Sequence, residues 1–125
     1  MITISVKDAL NGNVPLTDEA YGVYVVRDGQ TKIYVGKTER QDIVDRISWH
    51  LGNGPFTKVS PLGRYIIKNK PRSHNWKIDI LSLDDCNQIF EERGLPRRRK
   101  IRTAETTLIH LYHPLINKQA NDSTR

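Results

Sequence analysis

Residues 22–52 read GVYVVRDGQTKIYVGKTERQDIVDRISWHLG, and this stretch decides the fold that the sequence predicts. Its first half holds two runs rich in β-branched and aromatic residues. The turn-forming residues Asp28 and Gly29 separate them, and this order predicts a β-hairpin. Its second half, roughly Arg40 to Leu51, spaces apolar side chains at i, i+1, i+4 and i+8, which is the stripe of an amphipathic helix. A hairpin followed directly by a helix indicates a small α/β domain.

The loop of this hairpin determines which face each side chain occupies. A two-residue turn at Asp28 and Gly29 has the stronger general preference, but it would place Tyr24 and Tyr34 on opposite faces. An odd-length loop, for example one closed by a bulge at Gly29, places both tyrosines on one face. We favour the odd-length loop because it separates an apolar face from a tyrosine face. The apolar face then holds Val23, Val25, Ile33 and Val35, and the opposite face holds Tyr24, Tyr34 and Lys32.

The remainder of the chain continues the alternation of strand and helix. We expect a short helix over LGRYIIKNK that stops at Pro71, a helix over DDCNQIFEERG, and a last helix from about Arg98 to Tyr112. The predicted fold is α/β of the α+β kind, a three-stranded antiparallel sheet flanked by helices. Its strands are expected at about Gly22–Arg27, Lys32–Gly36 and Trp76–Leu83.

The predicted organisation is a single domain with two polar extensions. Residues 1–20 are interpreted as a loosely packed N-terminal arm with a short strand, residues 21–118 as the domain, and residues 119–125 as a polar tail. The single cysteine, Cys86, cannot form an internal disulfide, and this suits a reducing compartment. The N-terminus lacks the pattern of a signal peptide, and no apolar run approaches the roughly 20 residues of a membrane helix. We therefore expect a cytoplasmic or nucleoid-associated protein that does not associate with membranes.

The charge of the chain is concentrated in its second half. The net charge is +6; residues 1–63 carry seven basic and seven acidic residues, whereas residues 64–125 carry thirteen and seven. The densest block is RGLPRRRKIR, and it contains Arg97, Arg98, Arg99 and Lys100. Such a block is typical of a surface that contacts nucleic-acid backbone. A solvated basic loop without a partner is an equally open interpretation.

Several polar residues recur in an order that matches a known pattern. GVY at 22–24 and YVG at 34–36 resemble the paired triplets of the GIY-YIG nuclease family, with valine in place of isoleucine in both. The resemblance continues over residues 21–118, through an arginine and a histidine on the helix after the second triplet, a glutamate on a later helix and an asparagine beyond it. It implies a metal-dependent DNA endonuclease whose site residues are Tyr24, Tyr34, Lys37, Arg46, His50, Glu105 and Asn117.

The chemistry of phosphodiester hydrolysis explains why such groups belong together. Glu105 is the predicted ligand of one Mg²⁺ or Mn²⁺ ion, since Mg²⁺ prefers oxygen ligands and needs few protein carboxylates. The forked guanidinium of Arg46 matches phosphate oxygens. The general base stays open between Tyr24 and His50, because ionising a phenol at pH 7 costs about 4 kcal/mol whereas imidazole titrates near neutrality. Asn117 is expected to hold the end of the helix that carries Glu105.

Three other interpretations of the sequence remain. His74, His110 and His113 are ligand types found in ββα-metal nucleases, but their spacing predicts no compact metal site. A non-catalytic nucleic-acid-binding module could use the same scaffold. The chain could also be the catalytic domain of a larger homing or restriction nuclease. Its stretch between His50 and Glu105 is longer than in the minimal repair-type module and resembles the enlarged versions in homing and restriction members, whose homing branch normally carries a separate DNA-binding domain that is not seen in this sequence.

Overall fold

The computed structural model of the protein describes residues 1–11, 22–38 and 60–117. Within them, four strands form one antiparallel sheet in the order β1-β4-β2-β3. The strands are β1 (Ile2–Ser5), β2 (Gly22–Asp28), β3 (Thr31–Thr38) and β4 (Lys77–Leu81). The helices are α1 (Val6–Leu10), α2 (Pro61–Lys68), α3 (Leu83–Glu92) and α4 (Ile101–Tyr112), and a 3₁₀ helix spans Arg72–Asn75. The helix predicted at 40–51 and the tail predicted at 119–125 lie outside the described residues.

Helices cover both faces of the sheet. On one face, which we call the α1–α2 face, the core contains Val6, Tyr24, Val26, Ile66, Trp76, Ile78 and Ile80, among other residues. On the other, the α3–α4 face, it contains Val23, Val25, Val35, Leu81, Phe90, Ala104 and Leu108. The central strands therefore bury both of their faces. After Gly22, β2 has four successive buried positions, 23–26, and their side chains are apolar except for the hydroxyl of Tyr24. No helix among the described residues is long and apolar enough to cross a membrane.

The mixed α and β architecture is confirmed, but the predicted number of strands is wrong. The additional strand is β1, which pairs with β4 through Ile4 opposite Ile78. Residues 2–10 are also not loosely packed, because Val6 is 0% exposed and Ala9 is 2% exposed. The sequence predicts a short strand in this arm, but four residues do not show that it joins the sheet; the pairing with β4 stabilises it there.

A charged network crosses the sheet where β1 joins it. Asp79 on β4 accepts hydrogen bonds from the Thr3 hydroxyl (2.7 Å) and from Nε of Arg27 (2.7 Å). A second Arg27 nitrogen lies 3.3 Å from the other carboxylate oxygen, so the pair is forked. The hydrogen bond from Arg27 to Asp79 raises the pKa of the Arg27 guanidinium above its ordinary value. The network links β1, β4 and β2, and it satisfies a carboxylate that is only 8% exposed.

The hairpin places Tyr24 and Tyr34 on one face, as predicted, but the cause is a bulge in β3 and not an odd-length loop. The loop is a two-residue turn, Gly29 and Gln30, in which Gly29 adopts φ 58°, a value that a two-residue hairpin turn requires. The pairing then shifts by one residue, because Ile33 is an extra residue on β3.

The bulge at Ile33 reverses the predicted faces of Ile33 and Lys32. Ile33 packs in the α1–α2 core with the tyrosines instead of with Val35. Lys32 points the other way and lies over the ring of Tyr112 on α4, with Nζ 4.9 Å from the ring centroid. The predicted faces of Ile33 and Lys32 are therefore wrong, while those of Val23, Val25, Val35 and the tyrosines are right.

The ends of the last two helices follow from local chemistry. α3 begins with a capping box, in which the Ser82 hydroxyl accepts from Asp85 N and the Asp85 carboxylate accepts from Ser82 N. The predicted start of α4 at about Arg98 is wrong, and the helix begins at Ile101. The backbone of Arg98 is hydrogen-bonded to Asn87 on α3 instead of continuing the helix. Its buried residues are Ala104, Leu108 and Ile109.

Candidate active site

The two triplets of the hairpin lie side by side in the sheet. Tyr24 is directly opposite Gly36, and Gly22 is opposite Thr38. A Cβ atom at Gly36 would overlap the far end of the Tyr24 ring, so the ring lies across the space that only a glycine leaves open. A Cβ at Gly22 would overlap the carbonyl oxygen of Leu81 on β4. Both glycines of the motif are therefore required by close packing.

The two tyrosines form a pair of unequal exposure. Their ring centroids are 6.2 Å apart with an interplanar angle of 33°, within the range of favourable aromatic contacts. Tyr24 is 1% exposed and is the largest fully buried side chain among the described residues, whereas Tyr34 is half-buried. Because the Tyr24 ring crosses Gly36, its hydroxyl is directed from the central strand β2 toward the outer strand β3. Of the two phenols, Tyr34 is better placed to contact a ligand directly.

Asn117 is held against the same strand. Its Oδ1 accepts from Val35 N and its Nδ2 donates to Val35 O, both at 2.8 Å, and the side chain is 2% exposed. The backbone of the preceding residues continues this contact, because Leu115 N donates to Lys32 O and Ile116 N donates to Ile33 O. The segment after α4 thus covers an edge of the sheet that β3 would otherwise leave open. Asn117 fixes that segment to Val35, which lies between Tyr34 and Gly36, the residue opposite Tyr24.

Lys37 and Glu105 lie on the opposite side of β3. Lys37 is opposite Val23 and follows Val35 by two residues, so its side chain belongs to the α3–α4 face, where it is half-buried. Glu105 is half-buried on α4, next to Ala104, which is 0% exposed in the core of that face. α4 packs against β3 and β2. The structure therefore brings the tyrosines and Asn117 together and places Lys37 and Glu105 across the same outer strand.

Two of the predicted site residues, Arg46 and His50, lie outside the described residues. The described residues contain no group of three or more His, Cys, Asp and Glu side chains arranged to hold a metal ion. Among the histidines of the alternative interpretation, His74 is half-buried in the 3₁₀ helix, His110 is exposed on α4, and His113 is exposed as its C-cap.

The basic loop between α3 and α4 is hydrogen-bonded to α3, and its four cations differ in exposure. Arg97, Arg99 and Lys100 are exposed, whereas Arg98 is half-buried. Arg97 lies 3.4 Å from an Asp84 carboxylate oxygen, and both side chains are so exposed that this ion pair contributes little. The backbone of Arg98 is held by Asn87 on α3, whose Oδ1 accepts from Arg98 N (2.7 Å) and whose Nδ2 donates to Arg98 O (2.9 Å).

Sequence reasoning missed Asn87. It is 2% exposed on a helix whose other buried residues are Cys86 and Phe90. An asparagine within the apolar stripe of a helix is a signal for a buried polar contact, because an unpaired amide there would be costly. Its neighbour Cys86 is expected to be unreactive, because burial raises the pKa of its thiol to about 12 and the reactive form is the thiolate.

Comparison with known proteins adds no relationship. No family model matches the chain, and no curated protein and no solved structure is significantly similar to it. The functional argument therefore depends on the residues themselves and on the geometry described above.

Proposed function

We propose that the protein is a metal-dependent endonuclease that hydrolyses phosphodiester bonds in DNA by a GIY-YIG-type mechanism. The observation that carries the proposal is the register of the hairpin. It sets Tyr24 over Gly36 and beside Tyr34, and Asn117 is bonded to the residue between positions 34 and 36. The two triplets thus pair with each other in the hairpin, and Asn117, which is 82 positions beyond Val35, is bonded to the same strand. Packing of apolar side chains alone would not require an asparagine with both amide atoms bonded at that point.

The two tyrosines are assigned different tasks because their exposure differs. Tyr34 is half-buried and can donate a hydrogen bond to a phosphate oxygen or to the attacking water. Tyr24 is 1% exposed, so a proton that it accepts must pass on to a neighbouring group. This favours a relay role for Tyr24, with His50 as the final acceptor, over direct deprotonation of water by Tyr24. Arg46 is assigned to the phosphate, as a forked donor.

Glu105 is assigned to the metal ion. A carboxylate suits Mg²⁺ or Mn²⁺, and one such side chain with substrate phosphate oxygens is an adequate set of ligands for an ion that keeps most of its waters. A bound ion would neutralise charge on the phosphate and on the leaving oxygen. Glu105 lies on α4 beside the buried Ala104, so the carboxylate is carried by a rigid part of the core. Lys37 adds positive charge on the same face.

The test is nicking of supercoiled plasmid, with Mg²⁺ and with EDTA. We expect nicking that requires the metal ion. Glu105→Gln keeps the size of the side chain but removes the anionic ligand, and it should abolish nicking while leaving DNA binding within about twofold, because the basic loop supplies most of the attraction. Glu92→Gln, at an exposed position at the end of α3, is the matched control and should remain active. A fully active Glu105→Gln protein would refute the mechanism.

Tyr24→Phe isolates the hydroxyl of the buried tyrosine. The phenyl ring still fills the space over Gly36, so the fold should be retained. If Tyr24 is the relay, nicking should slow by about two to four orders of magnitude, the usual range for a lost acid–base group. Tyr34→Phe should slow it as well. Full activity of Tyr24→Phe would leave His50 or a metal-bound water as the base.

A non-catalytic nucleic-acid-binding module is the second candidate, and the burial of Tyr24 is the observation that favours it. A fully buried phenol packs a core as readily as it serves a reaction. Metal-dependent nicking that is lost in Glu105→Gln excludes this candidate. DNA binding without any nicking would support it and would overturn the enzyme proposal. A discrete set of plasmid fragments would show that cleavage prefers particular sites. That result would support the third interpretation, in which the chain acts within a larger sequence-specific nuclease.

A further inference from the structure

Arg98 differs from the other cations of its loop. Arg97, Arg99 and Lys100 are exposed, and no hydrogen bond or ion pair among the described contacts involves the side chains of the last two. Arg98 is half-buried, and its Nε is fully buried with no hydrogen-bond partner among the described residues. Burying a guanidinium N–H without an acceptor is costly, so this side chain is not explained by stability.

Hydrogen bonds to α3 anchor the loop that carries Arg98 at two points, Leu95 and Arg98. Asn87 holds the Arg98 backbone with two hydrogen bonds from a side chain that is 2% exposed. At the other end, Leu95 N donates to Phe90 O after Gly94, whose φ of 71° suits glycine. The loop is therefore preorganised, and an arginine fixed at its base loses little conformational freedom on meeting a ligand.

We propose that Arg98 is the one oriented phosphate contact of the basic loop, with Asn87 as its positioning residue, whereas Arg97, Arg99 and Lys100 contribute diffuse attraction. The inference rests on the proposed function in one respect, that the ligand is nucleic acid. Nε is buried out of reach of a ligand, so the terminal nitrogens of the guanidinium, which are not among the buried atoms, make the contact with an anionic oxygen. A forked guanidinium can bond two oxygens of one phosphate, which a lysine cannot do.

The chemistry of the loop favours a nucleic-acid backbone over an acidic peptide. Four adjacent cations, with one half-buried and three exposed, match a polyanion that carries charge at short regular intervals. Contacts of this kind position a strand without reading its sequence. The loop precedes α4, which carries Glu105, so a strand held at Arg98 approaches the helix on which the proposed metal ligand lies.

The experiment compares two charge-conserving variants, Arg98→Lys and the matched control Arg99→Lys. Binding to a short fluorescein-labelled DNA duplex is measured by fluorescence anisotropy in EDTA, over a series of salt concentrations. Neither variant changes the number of positive charges, so both should keep the wild-type salt slope. Arg98→Lys should weaken binding about tenfold at every salt concentration because the fork is lost, and Arg99→Lys should weaken it less than about twofold.

Three further measurements complete the test. Asn87→Ala should reproduce the loss of affinity with an unchanged salt slope; should it fail to fold, Arg98→Lys still carries the test, because Asn87 bonds only the backbone of Arg98. Arg98→Met should not lower the midpoint of thermal unfolding, since it removes a buried donor without a partner. Polyglutamate should not compete with the duplex.

Each contrary result has a definite meaning. Equal effects of Arg98→Lys and Arg99→Lys, no binding of the wild type to the duplex, or a marked loss of stability in Arg98→Met would overturn the assignment of Arg98. Competition by polyglutamate would overturn nucleic acid as the ligand. Because binding is measured in EDTA, the result is independent of nicking. The inference can therefore fail while metal-dependent cleavage stands, and it can stand while cleavage fails.

Discussion

Replacement of Gly36 by alanine tests the packing that unites the two triplets. The three atoms nearest to a Cβ at this position are Cζ, the hydroxyl oxygen and Cε2 of Tyr24. An added methyl in a well-packed core costs about 1–3 kcal/mol, and the burial of the ring favours the upper half of that range. Alanine recovers about 0.5–1 kcal/mol by restricting the unfolded chain. The expected net loss of unfolding free energy is about 1–2.5 kcal/mol.

A double-mutant cycle assigns that loss to the ring. Leucine lacks all three of the overlapping atoms, so Gly36→Ala should be nearly neutral or slightly stabilising in a Tyr24→Leu background. The coupling between the two positions should then be about 2 kcal/mol, measured by urea unfolding followed by far-UV circular dichroism.

Gly22→Ala is the control for this cycle. Its Cβ meets the backbone carbonyl of Leu81, which no side-chain change can remove, so its cost should be the same in both backgrounds. A coupling below about 0.5 kcal/mol between positions 36 and 24 would refute the packing argument, and with it the stated reason for a glycine in the second triplet.

Three other changes have outcomes that the structure determines. Asn117→Ala leaves the buried N–H and C=O of Val35 without their partners and should cost about 2–4 kcal/mol in urea unfolding; a loss below about 1 kcal/mol would contradict the clamp. His113 has φ 46° at the C-cap of α4, so His113→Gly should raise stability by about 1 kcal/mol, whereas His110→Gly within the helix should lower it. Burial alone would raise the pKa of Asp85, but the hydrogen bonds at the start of α3 and the amino terminus lower it below 3.8. Its contribution is therefore present above pH 3.8 and is lost as the pH falls through the lower folded value, so the stability difference between wild type and Asp85→Asn should shrink in acid unfolding experiments.

The sequence by itself determined the local elements of this protein. β2, β3 and β4 alternate or run apolar with β-branched residues, and the helices α2, α3 and α4 repeat apolar side chains at helical spacing. Those patterns depend only on neighbours within one or two turns, so they can be read without the fold. The sequence also predicted the two tyrosines on one face, but the structure achieves this by the bulge at Ile33 and not by an odd-length loop.

Only the tertiary structure decided how these elements are completed. β1 is a strand because β4 pairs with it. The one-residue shift at Ile33 reverses the predicted faces of Ile33 and Lys32, although no local signal marks the bulge. The clamps made by Asn117 on Val35 and by Asn87 on Arg98 join residues that are 82 and 11 positions apart. In each case a hydrogen bond between separate segments selects the conformation, and such a bond has no periodic trace in the sequence because its partner lies elsewhere in the chain.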